Sequence, residues 1–468
     1  MGPVGRRLLV AGLACGLVLG ALAIPHAMRE PGSDRGSDVR LGRLEGVWRS
    51  RGYGWLWAVT DGRVSVFDES GPYCIARPDM RQRLKDLDED FDLSADGQRL
   101  QVALDDPAYR VTFDKIAALP AACTRPAEAT PTAVIDALDH IFTAHYAFFK
   151  ARHVDWPALI SAARSKVGAE TSEAELLQVV KELLANFDDD HVSLRARIKG
   201  RRVVCNTGEG VALRGVADEA RSEGVELNDM IERWKRSVWT PEIEDELFSG
   251  TLETTANGNI KYGLVGDDIG FLGILAMEDF AKGNGDDAAA LEKALDDALE
   301  AFEDAKAVIV DVSLNDGGED VLARAIAARF AAKRTLAYSK FAGEVPGATP
   351  QPIAVEPGGR HRFTGPVYLM TSNVTVSAAE IFAIAMRALP NVTHVGQTTR
   401  GSLSDVLTKR LPNGWFVTLS NEVYLDADGK AWEGQGVAPT VAIPVFADGA
   451  DAAQSHAMAV RAVVDRIR

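Results

Sequence analysis

At 468 residues the chain is long enough for two or three domains with a sizeable core. A formal net charge of −16, with basic residues scattered rather than clustered, argues against a nucleic-acid partner. Four cysteines are too few for a disulfide-built scaffold, and none shows metal-ligand spacing, so no metal is expected.

Arg6 and Arg7 precede an uncharged apolar run from Leu8 to Ile24, and Pro25-His26-Ala27 offers small residues for cleavage. Residues 1–27 read as a secretory signal peptide, the run being short for a full span. The mature protein is then expected outside the cytoplasm, periplasmic or secreted, with no stable membrane insertion. An uncleaved segment would instead anchor it.

Residues 28–40 are polar and rich in Gly, Arg, Asp and Ser, and read as a linker. Over 41–125 short alternating runs such as Trp55–Val59 and Val64–Phe67 are punctuated by Asp61-Gly62 and Asp96-Gly97. That pattern predicts antiparallel hairpins and a small β domain. Trp48, Tyr53, Trp55 and Trp57 are read as core aromatics rather than a ligand surface. Cys15 leaves with the signal peptide. Cys74 and Cys123 share the β domain, so export predicts a bridge between them and leaves Cys205 as a buried thiol.

Residues 126–200 read as a helical segment, with helices over 132–165 and 172–186. The second ends before Asp188-Asp189-Asp190-His191-Val192, which places a histidine directly before a β-prone run. Of the eight histidines, His191 alone combines an acidic setting with a rim position, and it is the candidate general base.

From 201 to 448 the chain alternates strands and helices, and 449–468 reads as a C-terminal helix. The run Ala307–Val312 is a buried strand that leads into Asn315-Asp316-Gly317-Gly318 and a helix over Val321–Phe330. Paired glycines there let the backbone approach a ligand or present amides to an anion. An ordinary strand-to-helix turn fits the same residues. Neither a phosphate loop nor a dinucleotide fingerprint is present, so no cofactor is expected.

The stretch Val367–Leu389 organises the rest. It runs from a buried strand through Thr371–Thr375 into an Ala-rich helix, with Ser377 at the handover. A nucleophile there would lie beside the unpaired amides of the first helical turn. On this stretch alone a plain N-cap at Ser377 or Thr375 is the simpler reading, because strand–Ser–helix junctions are common. Leu411–Ser420 is a hairpin with an Asn-Gly turn, and Asp426–Lys430 a turn lacking the full calcium-ligand pattern.

Six motifs occur in one order: Asp189-x-His191, Asn315-x-Gly-Gly, Ser377-Ala-Ala-Glu, Gly396-x-x-Thr-x-Gly401, Leu411-Pro-Asn-Gly and Glu433-Gly-x-Gly-Val-x-Pro. From about 132 to 445 the chain resembles the S41 serine peptidases. That family includes the C-terminal processing peptidases, the tricorn core proteases and the retinoid-binding repeats. The resemblance implies an α/β fold with a crotonase/ClpP-like layered sheet core, preceded here by the helical segment and the small β domain.

It also implies Ser377 as nucleophile, with the backbone amides of Ala378 and of Gly317 or Gly318 as oxyanion hole. The processing peptidases carry a lysine where this chain has Ser402, Lys409 lies too far along to match it, and no PDZ segment is evident. The tricorn-like branch uses a histidine base and a glutamate orienter, which map to His191 and Glu433. Asp190 replaces that branch's serine before the histidine, so Asp190 and Ser402 are the candidate helpers. The expectation is an exported serine endopeptidase acting on polypeptides through a Ser-His-Glu relay. The alternatives are a catalytically inactive relative that binds a hydrophobic ligand or peptide, and a scaffold for other exported proteins.

Overall fold

Two runs in which every residue is buried, Ile269–Ile274 and Ala307–Asp311, lie side by side and parallel in a seven-stranded sheet. Burial on both faces explains their near-continuous apolar sequence. The computed structural model describes residues 42–80, 82–83, 91–104, 106–208, 213–225, 227–343, 345, 347–446 and 451–468. The predicted signal peptide and linker lie outside the described residues.

Continuing in parallel across that sheet come Val367–Thr371, Val392–Gly396 and Val441–Ala442. Ile260–Val265 and Glu253–Thr255 complete the other side antiparallel. The crossovers run through the helices Asp287–Ala301, Asp320–Ala328 and Ala378–Arg387, as parallel strands require. Two adjacent strands, Ala307–Asp311 and Val367–Thr371, therefore end at the same rim. Loops at the carboxyl ends of parallel strands are where an open α/β sheet places its ligands.

A second sheet brings Ser193–Ile198 against Phe416–Ser420, whose hairpin partner is Val406–Arg410. The hairpin turn contains Asn413 and Gly414, as expected, with Gly414 at φ 86°. Asp426 Oδ1 accepts the amides of Asp428 and Lys430, which makes that segment a turn.

Between Gly46 and Ile116 a separate antiparallel sheet forms, with Asp61 and Gly62 at φ 51° and 66° in its first tight turn. Trp48, Tyr53 and Trp57 are buried in its core and Trp55 is partly buried against it. Cys74 and Cys123 are disulfide-bonded, and Cys205 is a buried thiol. The sheet docks on the hairpin Val406–Ser420. Lys409, fully buried, donates to the Gly54 carbonyl at 2.8 Å and pairs with Asp68 at 3.3 Å. Tyr53 donates to Glu422.

One expected element is corrected. The helix predicted over 132–165 is two helices, Pro131–His145 and Trp156–Ser165. Asp155 caps the second by accepting the Ala158 amide, and Pro157 occupies its first turn. Between them, Tyr146 and Phe149 pack on Phe187, and Trp156 stacks on Phe142. The apolar residues that continued the helical pattern are thus packing a loop. Three further helices, Leu213–Glu223, Leu227–Ser237 and Pro241–Leu247, precede the main sheet and were not foreseen individually. The C-terminal helix spans Ala452–Ile467. Among the described residues no helix is long and apolar enough to cross a membrane.

Candidate active site

Ser377 is the residue preceding the helix Ala378–Arg387, and its side chain does not cap that helix. Its backbone sits at φ 60° and ψ −130°, a region that costs a non-glycine residue of order 1–3 kcal/mol. The strain is held by neighbours on both sides. Ser377 donates its amide to the Ser402 carbonyl at 3.0 Å, and Val376 donates to the Asn315 carbonyl at 3.2 Å. Thr375 and Ser372 donate their hydroxyls to the Val312 and Ser313 carbonyls at 2.9 and 2.6 Å. Both rim loops are therefore stitched together beneath the serine.

His191 lies across from it, with Nε2 3.2 Å from Ser377 Oγ. Four residues hold the backbone of His191, two directly and two through Asp189. Its amide donates to Asp189 Oδ1 at 3.0 Å, and its carbonyl accepts the Thr418 hydroxyl at 2.8 Å. Asp189, fully buried, also accepts the hydroxyls of Tyr146 at 2.8 Å and Ser420 at 3.0 Å. Burial pushes the His191 imidazole below its ordinary value, and Arg152 adds to that, while Asp189, Asp190 and Asp405 pull the other way. Neutral imidazole is thus favoured, the form that can accept a proton from a hydroxyl.

This sets the sign of a pH effect. A base must be unprotonated to act, so acylation is expected to rise with pH. Its midpoint should fall below the ordinary histidine value of about 6.5. A pH profile of labelling by a serine-reactive fluorophosphonate reads it, and a midpoint above that value would contradict the burial argument.

Gly317 and Gly318 stand at φ 105° and 137°, where only glycine is unstrained. A Cβ on Gly317 would lie 2.7 Å from Ser377 Cβ, which puts this loop against Ser377. The two glycines differ in their amides. Gly317 donates to Asn315 Oδ1 at 2.9 Å, so its amide is already spent on the turn. The amides of Gly318 and Ala378 donate to no acceptor among the described residues. Of the glycine pair offered for the oxyanion hole, Gly317 is thus corrected to a shaping role.

Glu433 is the second correction. The orienter of a catalytic imidazole should meet Nδ1, but His191 Nδ1 has no hydrogen-bond partner among the described residues. Glu433 instead spends one oxygen on Arg152 Nη2 at 2.5 Å and the other on the Leu403 and Ser404 amides at 2.8 and 3.0 Å. Its turn, with Gly434 and Gly436 at φ 74° and 75°, aims the carboxylate at that loop rather than at the imidazole. The two proposed helpers do meet. Ser402 Oγ donates to Asp190 Oδ2 at 3.2 Å, and Asp190 pairs with Arg400 at 2.7 Å.

Three residues that sequence reasoning passed over complete the site. Glu380, fully buried, accepts the Thr399 hydroxyl and the Gly401 and Ser402 amides, the last two at 2.7 and 2.8 Å. Burial pushes its carboxyl up to about 7, against those donors. Its place in Ser-Ala-Ala-Glu, one turn from Ser377, was the available signal. Asn315 holds the glycine turn and donates to the Ile274 carbonyl at 3.0 Å. Arg152 gave no signal, because it lay inside the supposed long helix. Among the described residues no group of His, Cys, Asp and Glu is placed to hold a metal ion.

Comparison with known proteins bears on the fold and the family. Residues 269–443 match the model of peptidase family S41, which covers both rim loops and Glu433. The fold superimposes on a candidate peptidase from Parabacteroides merdae ATCC 43184 with a TM-score of 0.56 and 25% identity, over 73% of this chain and 97% of that one. Mature CPAF superimposes with a TM-score of 0.51 and 13% identity, over 72% of this chain and 97% of that one, a likeness of fold alone. Over residues 269–443 the chain is that of a serine-type peptidase of family S41.

Proposed function

We propose that the protein is an exported endopeptidase in which Ser377 is the nucleophile and His191 the general base. The observation that carries this reading is the 3.2 Å approach of His191 Nε2 to the hydroxyl of a serine held at positive φ. Ser377 Oγ attacks the scissile carbonyl carbon as its proton passes to His191 Nε2. The carbonyl oxygen becomes an oxyanion facing the unspent amides of Ala378 and Gly318, at the positive end of the helix Ala378–Arg387. His191 then returns the proton to the departing amine, and water releases the acyl group by the same base. Glu433 belongs to this relay indirectly, by fixing the Leu403–Ser404 backbone and Arg152.

Export rests on the Arg6-Arg7 and Leu8–Ile24 pattern, and the Cys74–Cys123 bond suits an oxidising compartment. Stoichiometric labelling of the purified protein by a fluorophosphonate, mapped to Ser377, tests the chemistry. Absence of labelling across the neutral pH range would favour a relative that binds peptides without cleaving them. Amino-terminal sequencing of the protein recovered from outside the cytoplasm tests the export.

A further inference from the structure

Resting on the reading of Ser377 and His191 as the reacting pair, we propose that Arg152 is a positioning residue that holds the two partners in register. One guanidinium grips the loop behind each of them. Its side chain is 3% exposed, and it sits in the connection between Pro131–His145 and Trp156–Ser165. Its own backbone is anchored, with the amide donating to the Phe148 carbonyl at 2.9 Å.

Toward the base, Arg152 Nη1 donates to the Asp188 carbonyl, and Nε pairs with Asp189 Oδ2 at 3.2 Å. The other oxygen of Asp189 carries the His191 amide. Toward the nucleophile, Nη2 donates to the Gly401 carbonyl at 2.7 Å and to Ser402 Oγ at 3.1 Å. The carbonyl of Ser402 carries the Ser377 amide. Each partner is thus two contacts from the same cation, and the third branch of that cation is Glu433.

The charges around the base suit the reaction. Burial and the neighbouring Asp189 push the Glu433 carboxyl up to about 8, which leaves Asp189 as the carboxylate that faces both Arg152 and the imidazole. Proton transfer from Ser377 makes His191 a cation, which Asp189 and Asp190 stabilise although its Nδ1 meets no carboxylate. Lysine cannot substitute, because a single ammonium lacks the planar fork that reaches three loops at once.

The test is the rate of fluorophosphonate labelling of the full chain as a function of pH, with thermal midpoints measured alongside. Arg152→Lys keeps the charge and loses the fork. It should fold and label about a hundredfold more slowly, the loss expected when reacting groups are misplaced by about 1 Å. Asp189→Asn removes the strongest anion acting on the imidazole and should lower the pH midpoint. Arg152→Gln removes the opposing cation and should raise it.

Asp190 and Asp405, the other charges acting on His191, stay in place in all three variants. A residue that only supported the fold would leave the midpoint unmoved. Should Arg152→Gln not fold, the other two variants decide. Wild-type labelling by Arg152→Lys, or midpoints that fail to separate, overturns the inference. An unlabelled wild type would instead overturn the Ser377 reading itself.

Discussion

Ser377→Ala and His191→Ala are each expected to abolish acylation. Loss of a nucleophile or base that acts as a unit with its partner costs on the order of a millionfold in turnover. Both variants should fold. Ser377 is strained at φ 60°, and alanine there removes only a hydroxyl whose one contact is the His191 ring. The imidazole makes no hydrogen bond except to Ser377, so its loss leaves no buried donor orphaned. Single-turnover hydrolysis of a peptide ester reads the effect. His191→Ala with a turnover within tenfold of the wild type would remove the histidine from the mechanism.

The second large effect is expected at Gly318. A Cβ there would stand 2.4 Å from the Met277 carbonyl carbon and 2.5 Å from its oxygen, both backbone atoms. Gly318→Ala must therefore shift the loop and carry its amide away from the oxyanion. Losing one such donor costs about 10²–10³ in turnover. Gly283→Ala is the matched control. It has positive φ too, at 65° against 137°, but no atom within 4 Å of its Cβ, so it samples positive-φ strain without a clash and away from the site. Equal losses in the two variants would assign the effect to strain rather than to the oxyanion hole.

Much of this site was legible because its chemistry is carried by short local patterns. The strand-to-helix handover at Ser377 and the glycine pair after Asp311 are visible as changes of period and as punctuation. Their meeting at one rim follows from two parallel strands being neighbours. His191 stood out by elimination and by its acidic setting.

What could not be read was where long side chains reach. Glu433 occupied the motif position expected of an orienter, yet its carboxylate is taken by a guanidinium from a loop 281 residues earlier. That loop was hidden by Tyr146, Phe148 and Phe149, whose spacing prolonged a helical pattern. The break was written in Asp155 and Pro157, a cap followed by a first-turn proline, and apolar periodicity was allowed to outweigh them. The exchange of roles between Gly317 and Gly318 depends on which amide the Asn315 side chain captures. Spacing carries no information on that.

The docking of the amino-terminal sheet limits where this protein can be cut. Among the described residues the Lys409 ammonium finds its hydrogen-bond acceptors in Gly54 and Asp68, on that sheet, and Lys409 lies in the strand paired with Phe416–Ser420. That strand in turn supports His191 through Thr418. A fragment beginning after residue 125 would keep the whole S41-matching region but lose both acceptors of the Lys409 ammonium and uncover the hairpin that the sheet shields. Trimming the chain there is expected to loosen the strand that carries Thr418 and, through it, the backbone of His191.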